Sequence, residues 1–260
     1  MDDSRFCVEL IEDALLLLSE DVQTALCPQP KEEQIIEKIL PLLSFQYPNE
    51  ADTVLPSKIT VTELKRRTQS MDEGGVYLFP PERVLHTPSG RLTGAQIGTA
   101  YHTVMQHIVL SEEMKSPEHV KRQIQHLAQN GYLTEEEACA VSAEDIATLF
   151  ASETGKIMLE SQKTMREVMF GIHRPANTLV PDFESEKDIM LQGIIDCVAE
   201  TEDGLYIIDY KTDHVEQAEI LAEKYSVQLE CYRMAAEQIF GKKVIGKLLY
   251  SFALGQTIEL

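Results

Sequence analysis

The chain has 260 residues, 43% of them hydrophobic and 25% charged, a balance that excludes a disordered or fibrous polymer and suits a core domain carrying a smaller helical appendage. Its 43 acidic against 23 basic residues give a formal net charge of −20, which argues against an autonomous, tight DNA binder but leaves room for a module whose cationic channel is supplied by a larger assembly. The longest apolar run near the start, Ala14 to Leu18, is far below the roughly 20 residues of a bilayer span. Asp2, Asp3 and Glu9 stand where a signal peptide would be basic, and Cys7, Cys27, Cys139, Cys197 and Cys231 form no Cys-x-x-Cys pair. Reduced thiols in a cytoplasm are the expectation.

Apolar spacing predicts helices over residues 6–18 and 31–43, separated by Pro28 and Pro30. A polar stretch over 46–57 reads as a linker, so residues 1–57 are expected to form a helical lead-in and residues 58–260 the main domain, with Thr60 or Thr62 capping the next helix. Residues 74–94, rich in proline and glycine, suit an exposed connection. Helical periodicity returns over 95–109, 117–130, 134–150 and 154–162, with Asn130-Gly131 as a stop and Thr134 to Glu137 as a capping box.

Beyond residue 163 the period shortens. Strands are predicted over 165–172, 189–199 and 205–211, with Glu202-Asp203-Gly204 turning between the last two. A helix over 216–240, closed by Gly241, precedes a strand over 244–252. Residues 58–162 are thus the helical part of the domain and 163–260 its α/β core. Met158, Met165, Met169 and Met190 are expected to fill that core.

The hairpin carries the chemistry. With the turn at 202–204, Asp196 falls opposite Asp209 or within one residue of it, close enough to share a metal. Residues two apart on a strand face the same side, so Lys211 projects beside Asp209 while Tyr210 and Thr212 point away. Carboxylates are hard ligands for magnesium or manganese, and a lysine beside them suits a phosphoryl centre. The same pattern is also compatible with a structural ion pair, because charges at the end of the apolar run Ile207-Ile208 are costly unless paired or bound to a cation. Glu167, in another apolar strand, is a candidate to orient a ligand, or to be neutralised by Arg166 or Lys163.

Six elements in order, Thr62-Glu63-Leu64, Gly98 to His102, Arg166-Glu167, Gly193 to Asp196, Asp209-Tyr210-Lys211-Thr212, and Gln228 with Tyr232, resemble the C-terminal nuclease domain of the RecB family within the PD-(D/E)XK superfamily. The likeness is strongest to the AddA component of AddAB (RexAB) helicase/nucleases and spans roughly 59–260. It implies a restriction-endonuclease-like α/β core with a central mixed sheet flanked by helices. It also implies a metal site of His102, Asp196, Asp209 and the Tyr210 carbonyl, a catalytic Lys211 acting with Asp196 and Asp209, and support or substrate contact from Gln228, Tyr232 and Glu167.

The activity so implied is a Mg2+-dependent, or Mn2+-dependent, exonuclease cutting single-stranded DNA ends. The implied partners are DNA, the helicase portion of the same polypeptide and a second component of AddB/RexB type, acting in break processing and recombinational repair. No Gly-x-x-x-x-Gly-Lys-Ser/Thr loop occurs, so no ATP site is expected. The competing readings are an idle docking module of the same complex and a stand-alone exonuclease.

Overall fold

The computed structural model describes residues 49–73, 92–180, 183 and 185–260, with the side chains of 51 and 69–73 excepted. The helices expected over 6–18 and 31–43, and nearly all of the 74–94 connection, lie outside the described residues. Two compact units divide at Thr53 and Val54. Of the first, only residues 49–53 are described, and they contain the helical turn Glu50–Thr53.

The second unit is built on a six-stranded mixed sheet. Strand β1 (Lys58–Thr60) leads directly into helix α1 (Val61–Glu73), where Thr60 accepts the Glu63 N–H at 3.1 Å and so, rather than Thr62, caps the helix. Helices α2 (Gly94–His107), α3 (Pro117–Gln129), α4 (Glu135–Ala140), α5 (Ala143–Ala151) and α6 (Glu153–Glu160) follow. The single helix expected over 134–150 is two. Val141 is extended, and the Ser142 side chain accepts the Asp145 N–H to begin α5 afresh, so local capping outcompetes continuation.

Strand β2 (Lys163–Pro175) runs antiparallel to β3 (Asp188–Glu200) along its whole length. The opposite side of β3 is shared: β1 lies parallel to residues 190–192, and β4 (Leu205–Lys211) lies antiparallel to residues 197–200. Among the described residues no strand bridges 193–196 on that side. Asp196 therefore sits where the sheet splays open, one step beyond the last β3–β4 pair. Helix α7 (Ala218–Phe240) ends at Gly241, whose left-handed φ of 63° closes it. It returns the chain to β5 (Val244–Ser251), parallel to β4, and β6 (Gln256–Glu259) completes the sheet.

Helices cover both faces. Ile208 and Tyr210 of β4 join the core built by α2 to α6, whereas Leu205 and Ile207 join the core built by α1 and α7, the alternation a strand buried on both sides requires. Met158 is buried as expected, but Met169 is 80% exposed. Its neighbour Phe170 takes the inward position, closing over Gly193, where an added Cβ would come within 2.8 Å of the phenyl ring. No described helix is long and apolar enough to cross a membrane.

Candidate active site

The splayed end of the β3–β4 pair places two carboxylates in different surroundings. Asp196 Oδ2 accepts the Tyr210 N–H at 2.9 Å, a backbone donor that the ladder no longer uses, and lies 3.4 Å from His102 Nδ1. Burial opposes its ionisation, yet the imidazole and the N–H outweigh that and hold its pKa below the usual carboxylate value. Asp209, opposite it, is fully buried on the side of α7. Gln228 Nε2 donates to its Oδ1 at 2.9 Å and Lys211 Nζ lies 2.6 Å from its Oδ2. Burial and the nearby Asp196 charge push the Asp209 carboxyl up to about 7 despite Lys211. Burial works against the Lys211 ammonium, but Asp209 and Asp196 together raise its pKa, so it stays charged.

Helix α2 delivers His102. A capping box of Thr93 and Gln96 fixes its start. At its far end the Arg166 guanidinium donates to the carbonyls of Ile108 at 2.5 Å and Met105 at 3.2 Å. Arg166, one of two residues that could have neutralised Glu167, instead anchors the helix that bears His102. Gly98, one turn before His102, lets α2 approach the end of β4: an added Cβ would lie 3.1 Å from Thr212 Oγ1.

Glu167 follows Arg166 with φ 50°, the one non-glycine positive φ among the described residues. Such a conformation costs on the order of 1–3 kcal/mol and persists only where surroundings enforce it. It brings the Glu167 carboxylate to His102 and Asp196, so that one ligand atom from each of the three lies within 4.8 Å of the others. Burial and the Asp196 charge raise the Glu167 pKa. For His102, burial opposes protonation, but the hydrogen bond and charge of Asp196 raise its pKa overall. Two carboxylates and an imidazole in one cluster fit a hard divalent cation in donor type, and a cation would offset the repulsion that lifts the Glu167 pKa.

His102, Glu167 and Lys211 line a cleft of about 610 Å³ together with residues that include Gly98, Tyr210 and Asp213. Of the residues singled out by sequence, His102 and Asp196 come together, and Glu167 joins them within ligand distance. Asp209 is held by Lys211 and Gln228. Tyr210 lines the cleft, and the contact it makes to Asp196 is through its N–H. Tyr232 is buried and reaches the site through Gln228, whose Nε2 donates to its hydroxyl at 3.0 Å. Asp213 and His214, which also line the cleft, were given no role by sequence; their proximity to Lys211 in the chain was the available signal.

Residues 77–258 match the family model described as PD-(D/E)XK nuclease superfamily. Three similar relatives are named as the A-type component of an ATP-dependent helicase/nuclease. That of Bacillus velezensis is 35% identical over 100% of this chain and 23% of its own length. That of Thermoanaerobacter sp. strain X514 is 40% identical over 84% of this chain and 18% of its own. That of Clostridium novyi is 35% identical over 84% and 18%. The chain thus spans less than a quarter of the length of these relatives.

Proposed function

The chain belongs to the PD-(D/E)XK nuclease superfamily, and on that premise we propose that it hydrolyses phosphodiester bonds of single-stranded DNA with magnesium, or manganese, as cofactor. The observation that carries this reading is the convergence of His102 and Glu167, which line the cleft with Lys211, on the buried Asp196, together with the pairing of Lys211 with the buried Asp209. Those three residues would hold the cation, with Asp209 and the Tyr210 carbonyl adjoining. A bound divalent cation supplies Lewis acidity towards phosphate and lowers the pKa of water.

The protein's own groups perform the rest. Lys211 keeps its proton and neutralises charge that grows on the phosphate oxygens in the transition state. Asp209 holds that ammonium at 2.6 Å, and Gln228 fixes Asp209 in turn. A water oxygen bonds to phosphorus and gives up its proton to solvent, while the bond to the 3′ oxygen breaks and that oxygen takes a proton from solvent.

The wider role proposed is the nuclease end of a longer helicase/nuclease polypeptide, acting exonucleolytically on strands that a motor delivers, beside a second component of AddB/RexB type in break processing and recombinational repair. Support comes from the net charge of −20, which argues against tight DNA binding by this chain alone, and from the fraction of its relatives that the chain spans. The test is incubation of the chain with single-stranded DNA and Mg2+ or Mn2+. Cutting that is lost in Asp196→Asn and in Lys211→Gln is expected; cutting unchanged in both would refute the assignment.

A further inference from the structure

We propose that Lys65, held against the Tyr225 ring that it shares with Lys211, forms a subsite for a backbone phosphate next to the one that is cut at Lys211. The nuclease reading supplies its ligand, and the inference rests on it to that extent. Lys65 projects from α1 and places Nζ 3.5 Å from the Tyr225 ring centroid on α7. Lys211 Nζ lies 4.6 Å from the same centroid and Lys224 Nζ 5.2 Å. Three ammonium groups converge on one ring in a chain whose net charge is −20.

Their partners differ. Lys211 is paired with Asp209, and Lys224 with Asp213 at 2.6 Å, while the Tyr225 hydroxyl donates to the other Asp213 oxygen at 2.9 Å. Lys65 has no carboxylate within ion-pair distance among the described residues. Its half-withdrawn ammonium lies against the ring, and burial with repulsion from Lys211 and Lys224 lowers its pKa to about 8, although the more distant Asp213 and Asp209 pull the other way. The ring attracts the ammonium, but burial and the like charges beside it disfavour its charged form until an anion joins it.

The anion must reach Lys65 while another charge lies at Lys211, within the sum of the two ring distances. A polymer with regularly spaced phosphates meets that condition, and the backbone of the cut strand is such a polymer. A contact to backbone phosphate carries no sequence information, so the subsite positions the strand without sequence preference. Tyr225 is itself buried and serves as the floor of the subsite, not as a stacking surface.

The experiment is a salt titration of binding between the chain and a fluorescently labelled single-stranded oligonucleotide in EDTA, for wild type, Lys65→Gln and Lys65→Arg. Loss of one phosphate contact makes the slope of log affinity against log salt shallower by about 0.7. That change is expected in Lys65→Gln, with weaker binding, and Lys65→Arg is expected to restore the slope. An unchanged slope in Lys65→Gln, or an arginine variant as shallow as the glutamine one, would overturn the subsite. Unchanged binding by Lys65→Gln in a chain whose wild type cuts DNA overturns the subsite alone. A shallower slope in a chain that cuts nothing upholds the subsite and counts against the nuclease reading.

Discussion

Asp196 and Asp209 stand opposite each other at the end of one strand pair, yet they behave as different groups. On the α2 side, Asp196 meets an imidazole and a backbone N–H and ionises readily. On the α7 side, Asp209 is wholly buried, and its carboxyl keeps a proton up to about 7 in spite of Lys211. Environment, not residue type, separates their work. One side presents an ionised Asp196, while the other pairs a lysine with a carboxyl that titrates near 7.

The largest effect that would break or confirm this division is the contrast between Asp196→Asn and Lys211→Gln. Asp196→Asn should abolish both Mn2+ binding, read by calorimetry, and cleavage. Lys211→Gln should retain Mn2+ binding while kcat falls by about 10²–10³-fold, the usual size for one lost transition-state donor. Equal loss of Mn2+ binding in both variants would merge the two sides into one.

A second effect follows from Gln228, whose loss leaves Asp209 Oδ1 buried without its donor. Gln228→Ala should cost about 1–3 kcal/mol of stability, read as a lowered midpoint in urea, with a drop in kcat smaller than that of Lys211→Gln. Unchanged stability would mean that Asp209 is fixed by Lys211 alone.

The smallest effect concerns pH. Asp209 has a folded-state pKa of about 7 against 3.8 for an ordinary carboxyl. Its contribution to metal-free stability is therefore full below about pH 4 and is lost as pH rises through 7. On the proposed function a cation bound beside Asp209 would displace that proton, and the raised pKa of His102 would act in the same sense. Mn2+ affinity should accordingly rise between pH 6 and pH 8 with release of protons, and Asp209→Asn should flatten the rise. A wild-type affinity independent of pH would contradict the shift.

Much of this architecture is legible in the chain. Strands β2 to β5 and helix α7 follow from period changes and from Gly204 and Gly241, and the hairpin register alone sets Asp196 against Asp209. Contacts across elements are not legible. Nothing in Arg166-Glu167 announces that one residue would anchor the end of α2 and the next would adopt φ 50° and turn its carboxylate to His102. The break at Val141-Ser142 is hidden by continuous helical spacing, because a serine N-cap within an apolar run looks like any polar residue. Lys65 lies one position beyond Thr62-Glu63-Leu64, and its place over Tyr225 depends on the packing of α1 against α7, which periodicity does not specify.

The central claim is that His102, Glu167 and Asp196 form one cation site. Anomalous scattering from a crystal of the chain soaked in Mn2+ tests it most directly. One strong peak within coordination distance of all three side chains, lost in Asp196→Asn, is the predicted result. A peak bound elsewhere in the cleft, or no peak at saturating Mn2+, would contradict it.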